Sequence, residues 1–170
     1  MNFTRKELIQ TDATMNQMRN SIHILASLME KNGISDLKDR LRRMGKNIAR
    51  TYLQYWKPTD RVQISNLKDV ITTIYQKVLN SSISVEINNA ENIVRIQDYS
   101  CSLCKYHYED VEIAGCEILL GLLSEYINLL NKESNESEPI FLEPYEVIDS
   151  RAYGNKSCIQ VFKYKIGKGD

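Results

Sequence analysis

Residues 67–96 read LKDVITTIYQKVLNSSISVEINNAENIVRI, and the hydrophobic period changes partway through them. Leu67, Val70, Ile71, Ile74, Val78 and Leu79 recur at spacings of three and four, which places them on one helical face. From Ile83 the spacing falls to two. Ile83-Ser84-Val85-Glu86-Ile87 alternates apolar and polar, the pattern of a half-buried strand. Ile93-Val94-Arg95-Ile96 follows across an Asn-rich loop and predicts the second strand of a hairpin. Helix gives way to sheet here, so the reading is helices first and an antiparallel sheet afterwards.

Working back towards the N-terminus, Met15, Met18, Ile22, Leu25 and Met29 form one helical stripe. Thr11, Asp12 or Thr14 are its candidate caps, and Asn32-Gly33 its stop. A second helix is expected from a Ser35 cap to Lys57-Pro58, with Leu37, Leu41, Met44, Ile48 and Tyr52 inward. Gly45 lies inside it. A mid-helix glycine costs about 1 kcal/mol relative to alanine, which predicts close approach of another backbone.

Downstream, 98–110 is irregular, and 111–130 is a fourth helix so apolar that it must be buried in a core or interface. A polar, acidic surface loop over 131–139 leads to strands over 141–149 and 157–166, joined by a turn at Gly154-Asn155. Pro144 puts the first of these at a sheet edge or interrupts it. The fold class is therefore α+β: one domain over 1–170, helical over about 1–80, with its helices packed against a mainly antiparallel sheet.

The chain has 170 residues, 42% hydrophobic and 26% charged, which is ordinary for a globular domain. Lys+Arg and Asp+Glu are 22 each, and a zero net charge argues against nucleic acid as the main partner. No run approaches the roughly 18 apolar residues of a membrane span. Residues 1–7 lack the apolar run of a signal peptide. The expected location is the cytoplasm, where the four cysteines are reduced thiols or metal ligands. Arg43, Lys46 and Arg50 share a face of the second helix, read as a solvated face. The alternative is contact with an acidic partner or an anionic membrane surface.

Cys101-x-x-Cys104 has the spacing that lets two thiolates hold one metal from a tight loop. Cys116 lies near the start of the buried helix and Cys158 in the last strand. These four make a possible zinc site, with His107 as a substitute ligand. The other reading has Cys116 and Cys158 as small core residues and the CxxC pair as free surface thiols. His23 falls beside the first apolar stripe and reads as structural. Glu143, Glu146 and Asp149 read as solvated acids. No residue set assembles a nucleophile, a base and an orienting group, so binding rather than catalysis is expected.

Cys101-Ser102-Leu103-Cys104, Cys116-Glu117-Ile118-Leu119-Leu120-Gly121 and Gly154-Asn155-Lys156-Ser157-Cys158-Ile159-Gln160-Val161-Phe162 together resemble the vinyl-4-reductase-like domain family over about residues 83–166. Arg43-Met44-Gly45-Lys46-Asn47-Ile48 looks like the helix of the Bet-type subunits of the TRAPP vesicle-tethering complex, in the same superfamily as the nitric-oxide-signalling sensor domains. The resemblance implies helices against an antiparallel sheet, with dimers formed through the N-terminal helices. Sensor relatives bind small apolar molecules beside a zinc site, and TRAPP relatives hold an acyl chain in a tunnel. The chain departs from its relatives at Ser150, where they commonly carry a cysteine, and at Glu125, where they often carry a glycine. It also lacks the acyl-bearing cysteine around 61–64. Glu146 or Asp149 would be the acidic partner, with Glu146 a substitute metal ligand.

Three expectations follow. Zinc joins Cys101, Cys104, Cys116 and Cys158. The Met-rich stripe of the first helix forms a homodimer, since methionine suits an adaptable apolar interface. A pocket for a small apolar ligand lies between helices and sheet, walled by Leu119, Leu122, Leu123, Tyr126, Phe162 and Tyr164.

Overall fold

A computed structural model describes residues 4–59, 61–132 and 139–167. Helix α1 (Arg5–Lys31) begins before its apolar stripe, because Thr4 and Glu7 form a reciprocal cap. The Thr4 hydroxyl accepts from the Glu7 N–H at 3.3 Å, and the Glu7 carboxylate accepts from the Thr4 N–H at 2.7 Å. Thr11 and Thr14, the expected caps, sit inside the helix and donate to the carbonyls of Glu7 and Gln10. Gly33, at φ +74°, ends it in the left-handed region.

Helices α2 (Leu37–Leu53) and α4 (Glu117–Lys132) cross at two glycines. A Cβ on Gly45 would stand 1.9 Å from the Ile118 carbonyl oxygen, and one on Gly121 would stand 1.9 Å from that of Arg42. The close approach expected of Gly45 is present, with Gly121 as its counterpart. The crossing also moves the inward face of α2 onto Leu37, Leu41, Gly45 and Ala49. Met44 and Tyr52, expected inward, are exposed, because the narrowest residues occupy the contact. Helix α4 starts at Glu117 rather than 111. The apolar signal of Val111, Ala114 and Cys116 comes from a buried turn, whose first bond runs from the Glu117 N–H to the Ala114 carbonyl.

Helix α3 (Leu67–Val78) follows Asn66. Strands β1 (Ile83–Asn88), β2 (Ile93–Asp98), β3 (Ile140–Asp149) and β4 (Cys158–Ile166) form one sheet in the order β1-β2-β4-β3, every pair antiparallel. Pro144 lies on the edge strand β3, and the register shifts between Pro144 and Glu146, so both expectations for that proline hold. One sheet face carries the main core: Val94, Ile96, Leu142 and Phe162 meet Ile71 and Ile74 of α3 and Leu123 and Tyr126 of α4. Part of the acidic loop, residues 133–138, lies outside the described residues.

The basic face of α2 is partly occupied by α4. Arg50 pairs with Glu125 at 2.8 Å. Arg42 pairs with the buried Glu117 at 2.7 Å and also donates to the Tyr145 carbonyl, tying the crossing to the edge strand. Among the described residues no helix is long and apolar enough to cross a membrane.

Candidate functional site

The four cysteines come from separate parts of the chain. Asp98 faces Cys158 across the β2–β4 ladder, so the loop leaving β2 starts beside the first residue of β4. That loop supplies Cys101 and Cys104 and turns back into α4 through Cys116. All four are free thiols, each at most 2% exposed. The sulfurs of Cys101, Cys104 and Cys158 lie within 4.8 Å of one another. In a tetrahedral site with zinc–sulfur bonds of about 2.3 Å the sulfurs stand about 3.8 Å apart, so modest side-chain rotation would bring these three into a coordination shell. Cys116, just ahead of α4, lies beside this group rather than within its 4.8 Å set. Its sulfur is 3.4 Å from the Ser150 hydroxyl, which is 3.7 Å from Cys158. Ser150 thus stands inside the cluster, at the position where the resemblance leads one to expect another cysteine.

The thiols do not share their protons evenly. Hydrogen bonds from Cys101, Cys116 and Cys158 hold Cys104 well below the usual thiol range despite its burial, and His23 acts in the same direction. Cys101 is pushed well above that range, chiefly because it donates to Cys104. The Arg151 N–H also donates to the Cys158 sulfur at 3.4 Å. A thiolate already favoured among buried thiols is the donor set that a soft divalent cation takes, with release of the remaining protons. The residues fit zinc.

Of the substitute ligands, His107 is exposed and rests against Gly154. Glu146 is exposed in a groove over the outer sheet face, with Glu86 and Arg95. Neither belongs to the thiol group. The histidine the fold does bring there is His23 of α1, which is fully buried. Its ring stacks on Tyr108 with centroids 4.1 Å apart. Its Nε2 donates to the Leu103 carbonyl at 3.1 Å, while Nδ1 is buried without a hydrogen-bond partner. Nothing in local spacing marks His23; only its helical position beside the apolar stripe hinted that it faces the body.

A second polar group adjoins the cluster. Burial pushes the Asp98 carboxyl up to about 6. One of its oxygens accepts from the Ser100 N–H, and the other is buried without a partner. Tyr75 donates a short hydrogen bond to Gln160, whose side-chain nitrogen is likewise buried and unpartnered. The expected pocket residues Leu119, Leu122, Leu123, Tyr126, Phe162 and Tyr164 are all buried, with Leu119 beside the cysteines and the rest in the main core.

No protein-family profile matches the chain, and no curated protein matches it in sequence. Among solved structures it is similar to trafficking protein particle complex subunit 3 from Naegleria fowleri, covalently bound to palmitic acid. The TM-score is 0.67 at 10% identity, covering 94% of this chain and 99% of that one. It also matches the phenol-responsive sensory domain of the transcription activator PoxR with phenol, at a TM-score of 0.49 and 14% identity, over 85% of this chain and 73% of that one. The chain therefore has the α+β fold of the trafficking-complex subunit over nearly its whole length.

Proposed function

We propose that the chain is a non-catalytic binding and assembly module, stapled by zinc at Cys101, Cys104, Cys116 and Cys158, that pairs with a second copy of itself through α1. The observation that carries the assembly reading is the outward face of α1. The expected stripe is split, since Ile22 and Met29 turn towards the body, and the apolar residues left outward are Met18, Ile24, Leu25 and Leu28, each more than half exposed. Exposed apolar surface of this kind, concentrated on one helix, is the usual mark of an interaction site. The fold shared with a subunit of a multi-protein complex supports it. Light scattering at micromolar concentration is expected to give a dimer mass that falls to the monomer in Leu25→Asp. A wild-type monomer under those conditions rules the pairing out.

Zinc would hold the loop, the start of α4 and the start of β4 together, and structural zinc contributes on the order of 10 kcal/mol to small domains. Chelation is expected to lower the melting temperature. Protein purified without chelator that carries no metal by elemental analysis excludes the zinc reading.

A second reading, an apolar ligand between helices and sheet, is favoured by the unpartnered polar atoms of Asp98 and Gln160 inside the core, which a ligand's polar end could satisfy. The palmitate of the solved relative points the same way. Covalent attachment is not part of this reading, because all four cysteines are buried in the cluster. Entry of a ligand requires the packed core around Leu123 to open. Leu123→Trp is expected to abolish uptake of fatty acid while leaving the fold intact; a variant that unfolds, or a wild-type protein that takes up none, removes this reading.

A further inference from the structure

Helix α1 touches the rest of the molecule in an unusual way. Among the described residues, every side-chain hydrogen bond between α1 and another element lands within residues 102–112, the loop that carries the CxxC pair. Arg19 donates to the Ser102 carbonyl and His23 to that of Leu103. Tyr108 donates to Asn20 at 2.8 Å, and Ser27 to Asp110 at 2.9 Å. The apolar footing is narrow: Ala26 is buried with Leu37 and Leu41 of α2 and Ile118 of α4, Ile22 and Met29 are partly covered there, and Leu103 and Ile113 of the same loop share in that cluster.

The loop is itself poorly specified by backbone bonding. Among the described residues, its backbone–backbone links to other elements are Tyr99 N–H to the Ser82 carbonyl and Tyr108 N–H to the Ala152 carbonyl. The Tyr153 hydroxyl donates to the Glu112 carbonyl and accepts from the Ala114 N–H, and Ser81 donates to the Ser100 carbonyl. Beyond these few ties, it is the convergence of Cys101 and Cys104 on Cys158, with Cys116 alongside, that draws it together. His23 stands at the joint, its Nε2 donating to the Leu103 carbonyl between the two CxxC cysteines and its ring stacked on Tyr108.

We infer that filling the cysteine cluster with zinc is what docks α1, with His23 as the side chain that joins helix to metal loop. Metal occupancy then governs whether the outward stripe of α1 is presented in a fixed position. This rests on the zinc reading above and adds its regulatory consequence. Thiol–thiol contacts are weak and exchangeable, whereas metal–thiolate bonds fix the loop that α1 binds.

Hydrogen exchange followed by mass spectrometry on the full chain, with zinc content measured in the same samples, tests this. Amides of residues 14–31 are expected to exchange at least tenfold faster after zinc is stripped under reducing conditions, while α4 and β4 change much less. His23→Ala is expected to keep its zinc yet lose protection in α1. A chain that takes up no zinc brings down the zinc reading, and this inference with it. Zinc that binds without changing α1 exchange, or whose removal exposes α1 and α4 together, overturns the inference alone. Zinc-loaded His23→Ala with α1 protected as in the wild type removes His23 from the role.

Discussion

Helices α4 and α1 are opposites. In the 16 residues of α4, twelve are buried, including Gly121 and Ser124, so its position is over-determined by packing. In the 27 residues of α1, three are buried, His23, Ala26 and Ser27, so its apolar seam with α2 and α4 is narrow and polar ties to the 102–112 loop stand beside it. Apolar contact fixes a helix through dense, non-directional packing, whereas polar ties only transmit the order of whatever they are tied to. The difference teaches that α4 is fixed by packing along most of its surface, whereas α1 is held by a narrow apolar seam on α2 and α4 together with polar ties to the cysteine loop.

The sharpest way to break this contrast is at the crossing. Gly121→Ala places a methyl 1.9 Å from the Arg42 carbonyl oxygen, and backbone cannot yield as a side chain tip can. The expected loss is at least about 3 kcal/mol by urea denaturation. A variant as stable as the wild type would show that α2 and α4 do not meet this closely.

A matched pair comes next. Leu123→Ala, on the fully buried side of α4, is expected to cost about 3 kcal/mol. Leu25→Ala on the exposed face of α1 forms the other half of the pair, with the smallest expected effect.

Asp98, at the end of β2, lies beside the cysteine cluster. Its folded pKa, about 6, stands above its ordinary value of 3.8 because burial disfavours the charge. The folded state therefore binds the proton more tightly than the unfolded state. The penalty of carrying the charge is fully present above the folded pKa and disappears as pH falls below the unfolded one. In metal-free protein, Asp98→Asn is expected to be more stable than the wild type by about 2 kcal/mol near pH 7.5, with that advantage vanishing near pH 4. A difference independent of pH would mean that the carboxyl is already neutral or well solvated.

Leu25→Ala is expected to change the unfolding free energy of the monomer by less than about 0.5 kcal/mol, while weakening self-association in light scattering. A loss comparable to that of Leu123→Ala would show that α1 is packed like α4, and the contrast would collapse.

Much of this was readable in residue order. The change of period at Ile83, the hairpin, the edge position of Pro144 and the unusual Gly45 each follow from local rules, because alternation, helical spacing and backbone freedom are properties of neighbouring residues. The start of α4 was misplaced because Val111, Ala114 and Cys116 look the same to a hydrophobic pattern whether they are buried on a helix or in a turn. Met44 and Tyr52 were placed inward because a stripe is read from bulk, and the crossing selects for its absence. The cysteines could be counted, but their meeting depended on the β2–β4 register that puts Asp98 opposite Cys158.

Residue order alone settled the α+β class, the sequence of elements and the presence of four thiols with metal-binding chemistry, since these depend on composition and short-range spacing. The company those thiols keep was a matter of three dimensions. His23 reaches Cys104 from a distant helix, Ser150 stands between Cys116 and Cys158, and His107 and Glu146 lie exposed outside the group. Such contacts arise from strand register and helix crossing, where the energy is in long-range packing and no local pattern records which distant residue will arrive.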